Sequence, residues 1–293
     1  MNGYKGLVSD NSRQISEWLV TAKNRLTTLD NSDQIYRLLG ADEPDAVRVI
    51  RRDSTSPYLF VCDHAGNRIP RKLGDLGVSE ADRQRHIAWD VGAFGMAEEF
   101  ARRFEATFVH QVYSRLVVDC NRPLQSATSM PEVSEHTVIP GNRDLAATQI
   151  AARQREIFHP YHDCIDAIIS ERNRREQATI LLAIHSFTPV FKGEPRSWHI
   201  GLLYNRDTRL AHTLRDLLAE DETLCVGDND PYSVDDESDY TIPVHGEGRA
   251  IPHALFEVRH DMIESEEDQY RWAHRLGYTL ERALERAPEL LEG

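Results

Sequence analysis

Four apolar runs in this chain lead into residues that can hold a metal ion, move a proton or grip an anion. Tyr58-Leu59-Phe60-Val61-Cys62 leads into Asp63-His64-Ala65-Gly66-Asn67. Leu116-Val117-Val118 leads into Asp119-Cys120-Asn121-Arg122. Ile180-Leu181-Leu182-Ala183-Ile184 runs straight into His185-Ser186-Phe187. In the fourth run, Ala254-Leu255-Phe256-Glu257-Val258-Arg259, the two charged residues are two apart and so share one face of a strand. With thirteen histidines in the chain, one of them at a strand end is more often a hydrogen-bonded structural group. Four such endings together point to chemistry. Zinc takes imidazoles and carboxylates and leaves a position open for water. A nearby carboxylate can move the water's proton, and an arginine fork can hold an anionic substrate. His64, His185, Glu257 and Arg122 supply these types.

The elements that must bring these residues together alternate along the chain. Residues 58–62, 179–184, 198–204 and 253–259 read as strands, and residues 107–119 as one or two strands. Residues 79–104, 144–176, 206–219 and a segment from Ser265 onward read as helices, the second broken near Pro160. Ile15, Leu19, Ala22 and Leu26 predict a further helix over residues 12–28. This alternation predicts one α/β domain over residues 1–293, with a helical N-terminal extension over 1–30. The central sheet should be mostly parallel or mixed, with helices on both faces. In such sheets ligands bind outside the carboxyl ends of the strands, where all four runs would converge. Residues 226–250, rich in Gly, Asp, Asn and Pro, form a loop of the length usual for an active-site lid.

The net charge of −14 argues against binding a nucleic-acid backbone. It leaves room for a small anionic substrate in a locally positive cleft. The four cysteines are widely spaced, with no CxxC pair, which argues against a thiolate zinc site. The first residues lack the apolar core of a signal peptide, and no stretch approaches the roughly 20 apolar residues of a membrane span. A cytoplasmic protein with no membrane partner is the expectation; the composition says nothing of oligomeric state.

Nine blocks, among them VCDHAGNRIP, HIAWDVGA, YSRLVVDCNRP, IHSFTPV and PHALFEVRHD, closely resemble the N-formylglutamate amidohydrolase family. The likeness runs from about Tyr36 to about Trp272. A more distant resemblance links Ile184-His185-Ser186-Phe187, Phe256-Glu257-Val258-Arg259 and Asn121-Arg122 to zinc carboxypeptidases. These resemblances imply a zinc-carboxypeptidase-like (phosphorylase/hydrolase-like) fold and metal-dependent hydrolysis of the amide of an N-formyl or other N-acyl acidic amino acid. They imply zinc or another divalent metal as cofactor, His64 and His185 as ligands, Glu257 as general base, and Asn121 and Arg122 as substrate clamps. Arg115 and Arg259 join the substrate-binding candidates, although each could instead pair with Asp119 or Glu257. The carboxypeptidase HxxE motif reads His64-Ala65-Gly66-Asn67 here, and asparagine is a poor zinc ligand. Asp90 is the preferred third ligand, with Asn67 the fallback. The lost glutamate also motivates a second reading, a non-catalytic binder of small carboxylates on the same scaffold.

Overall fold

A computed structural model describes residues 36–292; the helix expected over residues 12–28 lies outside the described residues. Seven strands form one mixed sheet: β1 (Val47–Ile50), β2 (Tyr58–Cys62), β3 (Thr107–Gln111), β4 (Ile180–Phe187), β5 (Ile200–Leu203), β6 (Val226–Asp228) and β7 (His253–Arg259). Their order is β1-β3-β2-β4-β7-β5-β6. The four central strands β3, β2, β4 and β7 run parallel. β1 is antiparallel to β3, and β5 is antiparallel to β7. β2 and β4 are buried along their whole length, as continuous apolar runs require of strands covered on both faces.

Alternation along these strands builds the core. Phe60, Leu182 and Phe256 point into one apolar cluster with Met96 and Phe100 of α1 (Ala93–Arg103), Leu214 of α4 (Arg209–Leu218) and Leu276 of α5 (Glu266–Arg286). α2 (Ala147–Arg153) leads toward α3 (His159–Arg174), which lies along β1 and β3. Trp272, Leu276 and Leu280, at helical spacing on α5, are buried, and Leu284 of the same stripe is partly buried. α5 is capped by Ser265, whose hydroxyl accepts from the Asp268 amide.

Three of the expected elements differ from the sequence reading, and β1 and β6 are strands that it does not place. The helix expected over 79–104 is broken: Ser79 caps a single turn, Glu80–Arg83, and helix resumes only at Ala93. Gly92 makes the joint with a left-handed backbone, φ 79°, and a Cβ there would lie 2.1 Å from the Ile263 carbonyl oxygen. Of the one or two strands expected over 107–119, a single one forms and stops at Gln111, whose side-chain oxygen accepts from the amides of Val112 and Tyr113. Beyond it, Leu116 and Val117 are buried without a strand partner, and their carbonyls accept from the side chains of Asn142 and Arg153. The helical region over 144–176 contains a π-helical turn, Gln154–Phe158, just before Pro160, where the missing amide hydrogen forbids a regular α-helical bond.

His162 of α3 and His245 stack in the interior, with Nδ1 of His162 3.0 Å from Nε2 of His245. Burial and their mutual repulsion push His162 down to about 3, and burial pushes His245 down to about 4. Both groups are therefore neutral in the folded protein where the unfolded chain, with an ordinary histidine pKa near 6.5, already binds protons. Their stabilisation is complete above about pH 6.5 and is lost as pH falls toward the folded-state values. Urea unfolding midpoints should fall steadily from pH 6.5 to pH 4. His162→Gln should flatten that slope; an equally steep slope in the variant would refute the assignment.

Candidate metal centre and substrate cavity

The chain turns sharply at the end of β2, so Asp63 and His64 both enter the space beyond the sheet edge. Gly66 permits this path, since a Cβ there would lie 2.0 Å from the Val112 carbonyl oxygen. Asp90 precedes the first turn of α1, and its amide donates to the His64 carbonyl at 3.0 Å. His185 lies on β4, directly across from Glu257 on β7.

These residues converge. The Nδ1 atoms of His64 and His185 lie 3.3 and 2.8 Å from the same oxygen, Oδ2 of Asp90. The two rings are 4.9 Å apart and nearly perpendicular. One donor atom from each of His64, Asp90 and His185 falls within a 4.8 Å set that could hold a metal ion. All three residues are buried. Asn67, the alternative third ligand, instead donates to Gln84 in an exposed position.

The far nitrogens of both rings are also engaged. Nε2 of His64 lies 2.7 Å from Oδ1 of Asp119, and Nε2 of His185 lies 2.9 Å from Oδ2 of Asp63. A carboxylate on Nε2 holds the proton there and turns the Nδ1 lone pair toward the shared space, the usual support of a metal-binding imidazole. Asp63 accepts a second bond from the Thr241 hydroxyl at 2.7 Å. Burial would raise Asp63, but the bonds from His185 and Thr241 hold it at about 2. Three buried carboxylates therefore surround two imidazoles. This set demands positive charge at its centre and fits a divalent cation.

Asp63 is not among the sequence candidates, and Asp119 stands there only as a pairing partner for an arginine, a role it fills with Arg115. Strand alternation sets Asp63 opposite His64, but β2 ends at Cys62 and alternation ends with it. Asp119 sits in the irregular segment after β3, where periodicity says nothing of direction.

The cluster opens into a cavity of about 680 Å³ that Glu257, Arg115, Asn121 and Arg122 also line. Glu257 is 8% exposed, and its Oε2 has no hydrogen-bond partner among the described residues. Burial pushes Glu257 up to about 7, against the pull of His185. A buried acid without a partner, next to a cation-demanding cluster, is available for proton transfer.

The four substrate-binding candidates separate. Arg122 donates from Nη1 to the Asn121 carbonyl at 2.9 Å and to Asp239 at 3.4 Å; its other two nitrogens have no partner among the described residues. Arg115 is committed to the cluster: Nε and Nη2 donate to Asp119 at 2.9 and 2.7 Å, and Nη1 reaches Asp90 at 3.4 Å. Asn121 spends its amide on the loop over 226–250. Its Nδ2 donates to Asp239, and its Oδ1 accepts from the amides of Tyr240 and Thr241. It is thus a brace for that loop rather than a free clamp. Arg259 is not brought to the cavity: the strand ends there, and its side chain donates to Asp261 and to the Arg196 carbonyl. The rule that residues two apart share a face fails where the strand itself stops. The loop contributes Asn229, Tyr232 and Asp239 to the cavity wall, which the sequence marked as a lid without resolving its residues.

The N-formylglutamate amidohydrolase family model matches residues 56–264. A crystal structure of a gene product from Agrobacterium tumefaciens is 38% identical, with a TM-score of 0.84 over 86% of this chain and 100% of the other. The crystal structure of an N-formylglutamate amidohydrolase from Ralstonia eutropha is 17% identical, with a TM-score of 0.58 over 85% of this chain and 99% of the other. No curated protein matches the chain. No helix among the described residues is long and apolar enough to cross a membrane. With the match spanning well over half its length and every element of the cluster inside it, the chain belongs to the N-formylglutamate amidohydrolase family.

Proposed function

We propose that the chain hydrolyses the amide of an N-formyl or other N-acyl acidic amino acid, N-formylglutamate being the first candidate, with zinc as its metal. The observation that carries this reading is the convergence in one cavity of His64, Asp90 and His185, the unpartnered carboxyl of Glu257, and the two free nitrogens of Arg122. Family membership supplies the amide and the formyl group.

His64 and His185 through Nδ1, and Asp90 through a carboxylate oxygen, would hold the metal. When bound, such an ion lowers the pKa of water and polarises an amide carbonyl. The chain's own residues do the rest. Asp63 and Asp119 fix the imidazole tautomers. Arg115 spans Asp119 and Asp90 and keeps both carboxylates in place. Glu257 accepts a proton from the attacking water and delivers it to the leaving nitrogen. Arg122 binds a substrate carboxylate through its free nitrogens.

A guanidinium presents two parallel donors to a carboxylate, whereas an ammonium is a point charge. Arg122→Lys should therefore raise KM for N-formylglutamate by about tenfold and leave kcat within a few-fold, because the carboxylate is held alike in ground and transition states. Steady-state kinetics on N-formylglutamate, with N-formylaspartate and N-acetylglutamate alongside, is the test. Unchanged KM in the lysine variant, or equal cleavage of a neutral N-formyl amide, would remove the carboxylate clamp.

A further inference from the structure

An N-acylated acidic amino acid carries two carboxylates, and Arg122 accounts for one of them. A second cation stands against the cavity wall. Arg196 follows a short hairpin, Val190–Phe191 paired with Glu194–Pro195, and leads toward β5. Its backbone is fixed on both sides: its amide donates to the Pro189 carbonyl at 2.8 Å, and its carbonyl accepts from Arg259 Nη1 at 3.1 Å. Its guanidinium carbon lies 4.5 Å from the ring centre of Tyr232, 4.7 Å from that of Phe191 and 5.7 Å from that of Phe187. Its Nη1 donates to the Tyr232 hydroxyl at 2.6 Å. All three of these rings line the cavity that holds Glu257 and Arg122.

The frame around Arg196 holds its charge without cancelling it. Aromatic faces attract a guanidinium but carry no net charge. Among the described residues no carboxylate pairs with Arg196, and its Nε and Nη2 have no hydrogen-bond partner. Arg115, by contrast, is neutralised by Asp119 and Asp90, and Arg122 shares Asp239. The tyrosine adds a donor. Its oxygen accepts from Arg196, so its own hydrogen remains to be donated. Partial burial and the Glu257 carboxylate push the Tyr232 phenol up, which keeps that hydrogen in place at neutral pH. Tyr232 shares the loop over 226–250 with Asp239, the partner of Arg122, so one loop reaches both cations. We propose that Arg196 and Tyr232 form a second carboxylate subsite, which makes the cavity selective for small dicarboxylates over monocarboxylates of the same shape.

The choice of a small dicarboxylate as ligand rests on the function proposed above, but the subsite is read by binding alone. Glutarate and its monoamide have nearly the same shape and differ by one charge. Their affinities are to be measured calorimetrically on the full-length protein, on Arg196→Gln and on Tyr232→Phe, with thermal unfolding to check that each variant is folded. The parent should prefer glutarate. Arg196→Gln should reduce that preference by about tenfold and leave the monoamide within about twofold, because the charge-assisted bond exists only in the glutarate complex. Tyr232→Phe keeps the ring against Arg196 and removes only the hydroxyl. It should reduce the same preference by about fivefold, and it carries the test if the arginine variant does not fold. No preference in the parent, or a preference within about twofold of the parent's in either folded variant, would overturn the proposal. So would equal losses of both ligands, the result expected if Arg196 only braces the hairpin against the loop. Failure to cleave N-formylglutamate would instead count against the proposed reaction and leave the binding ratios unaffected.

Discussion

Glu257→Gln should lower kcat by about 10²- to 10⁴-fold, the usual contribution of a positioned acid–base group, with the metal content of the protein unchanged. The position explains why. Glu257 is held on strand β7, which is paired on both sides at that point, between Phe256 and Val258 in the core and across from His185. Its Oε2 makes no hydrogen bond among the described residues, so glutamine breaks no internal contact of that oxygen. Glutamine also keeps the volume and the strand register and removes only the capacity to take up a proton. Loss of activity with intact metal and intact thermal stability is therefore the expected pattern. A variant within a few-fold of the parent would show that another group moves the proton.

Asp90→Ala should weaken metal binding by more than about 100-fold, beyond the 10–100-fold typical of losing an outer partner of a ligand. Asp90 is the one carboxylate that touches both imidazoles through a single oxygen. Its removal deletes a donor and leaves His64 and His185 without the group that gathers their Nδ1 atoms. Asp63→Asn is the informative comparison. Asparagine can still accept from Nε2 of His185 but carries no charge, so its effect should fall inside the 10–100-fold range. Equilibrium titration with zinc against a competing chelator measures both. Parent-like affinity in Asp90→Ala would move the ligand role to another residue, and equal losses in the two variants would place Asp90 among the supporting groups.

The two variants also separate what sequence could reveal from what it could not. His64, His185 and Glu257 were legible because each lies in or just past an apolar run, where a buried polar side chain has no role in packing. Asp90 was legible only through its block of resemblance, since the helix expected there hides the break at Gly92 that places it. The partners were not legible. Asp63 depends on where β2 ends, by one residue, and Asp119 on a stretch whose carbonyls are satisfied by Asn142 and Arg153 instead of a strand. Asn121 and Arg122 read as a pair, yet the amide braces the loop and only the guanidinium retains free donors. The parallel centre of the sheet followed from strand–helix alternation. The reversed β1 and β5 did not, because their flanking segments carry no signal of direction.

A metal held by His64, Asp90 and His185 and used for amide hydrolysis is the central expectation for this protein. The most direct test is to measure the zinc content of the purified protein together with its hydrolysis of N-formylglutamate, before and after chelation and after zinc is restored. The expected result is about one zinc ion per chain, as a single three-ligand site holds, with activity that disappears on chelation and returns with zinc. Full activity in the metal-free protein would contradict it. So would a zinc-loaded protein that binds N-formylglutamate and the related N-acyl acids without cleaving any of them, which would make the scaffold a carboxylate binder.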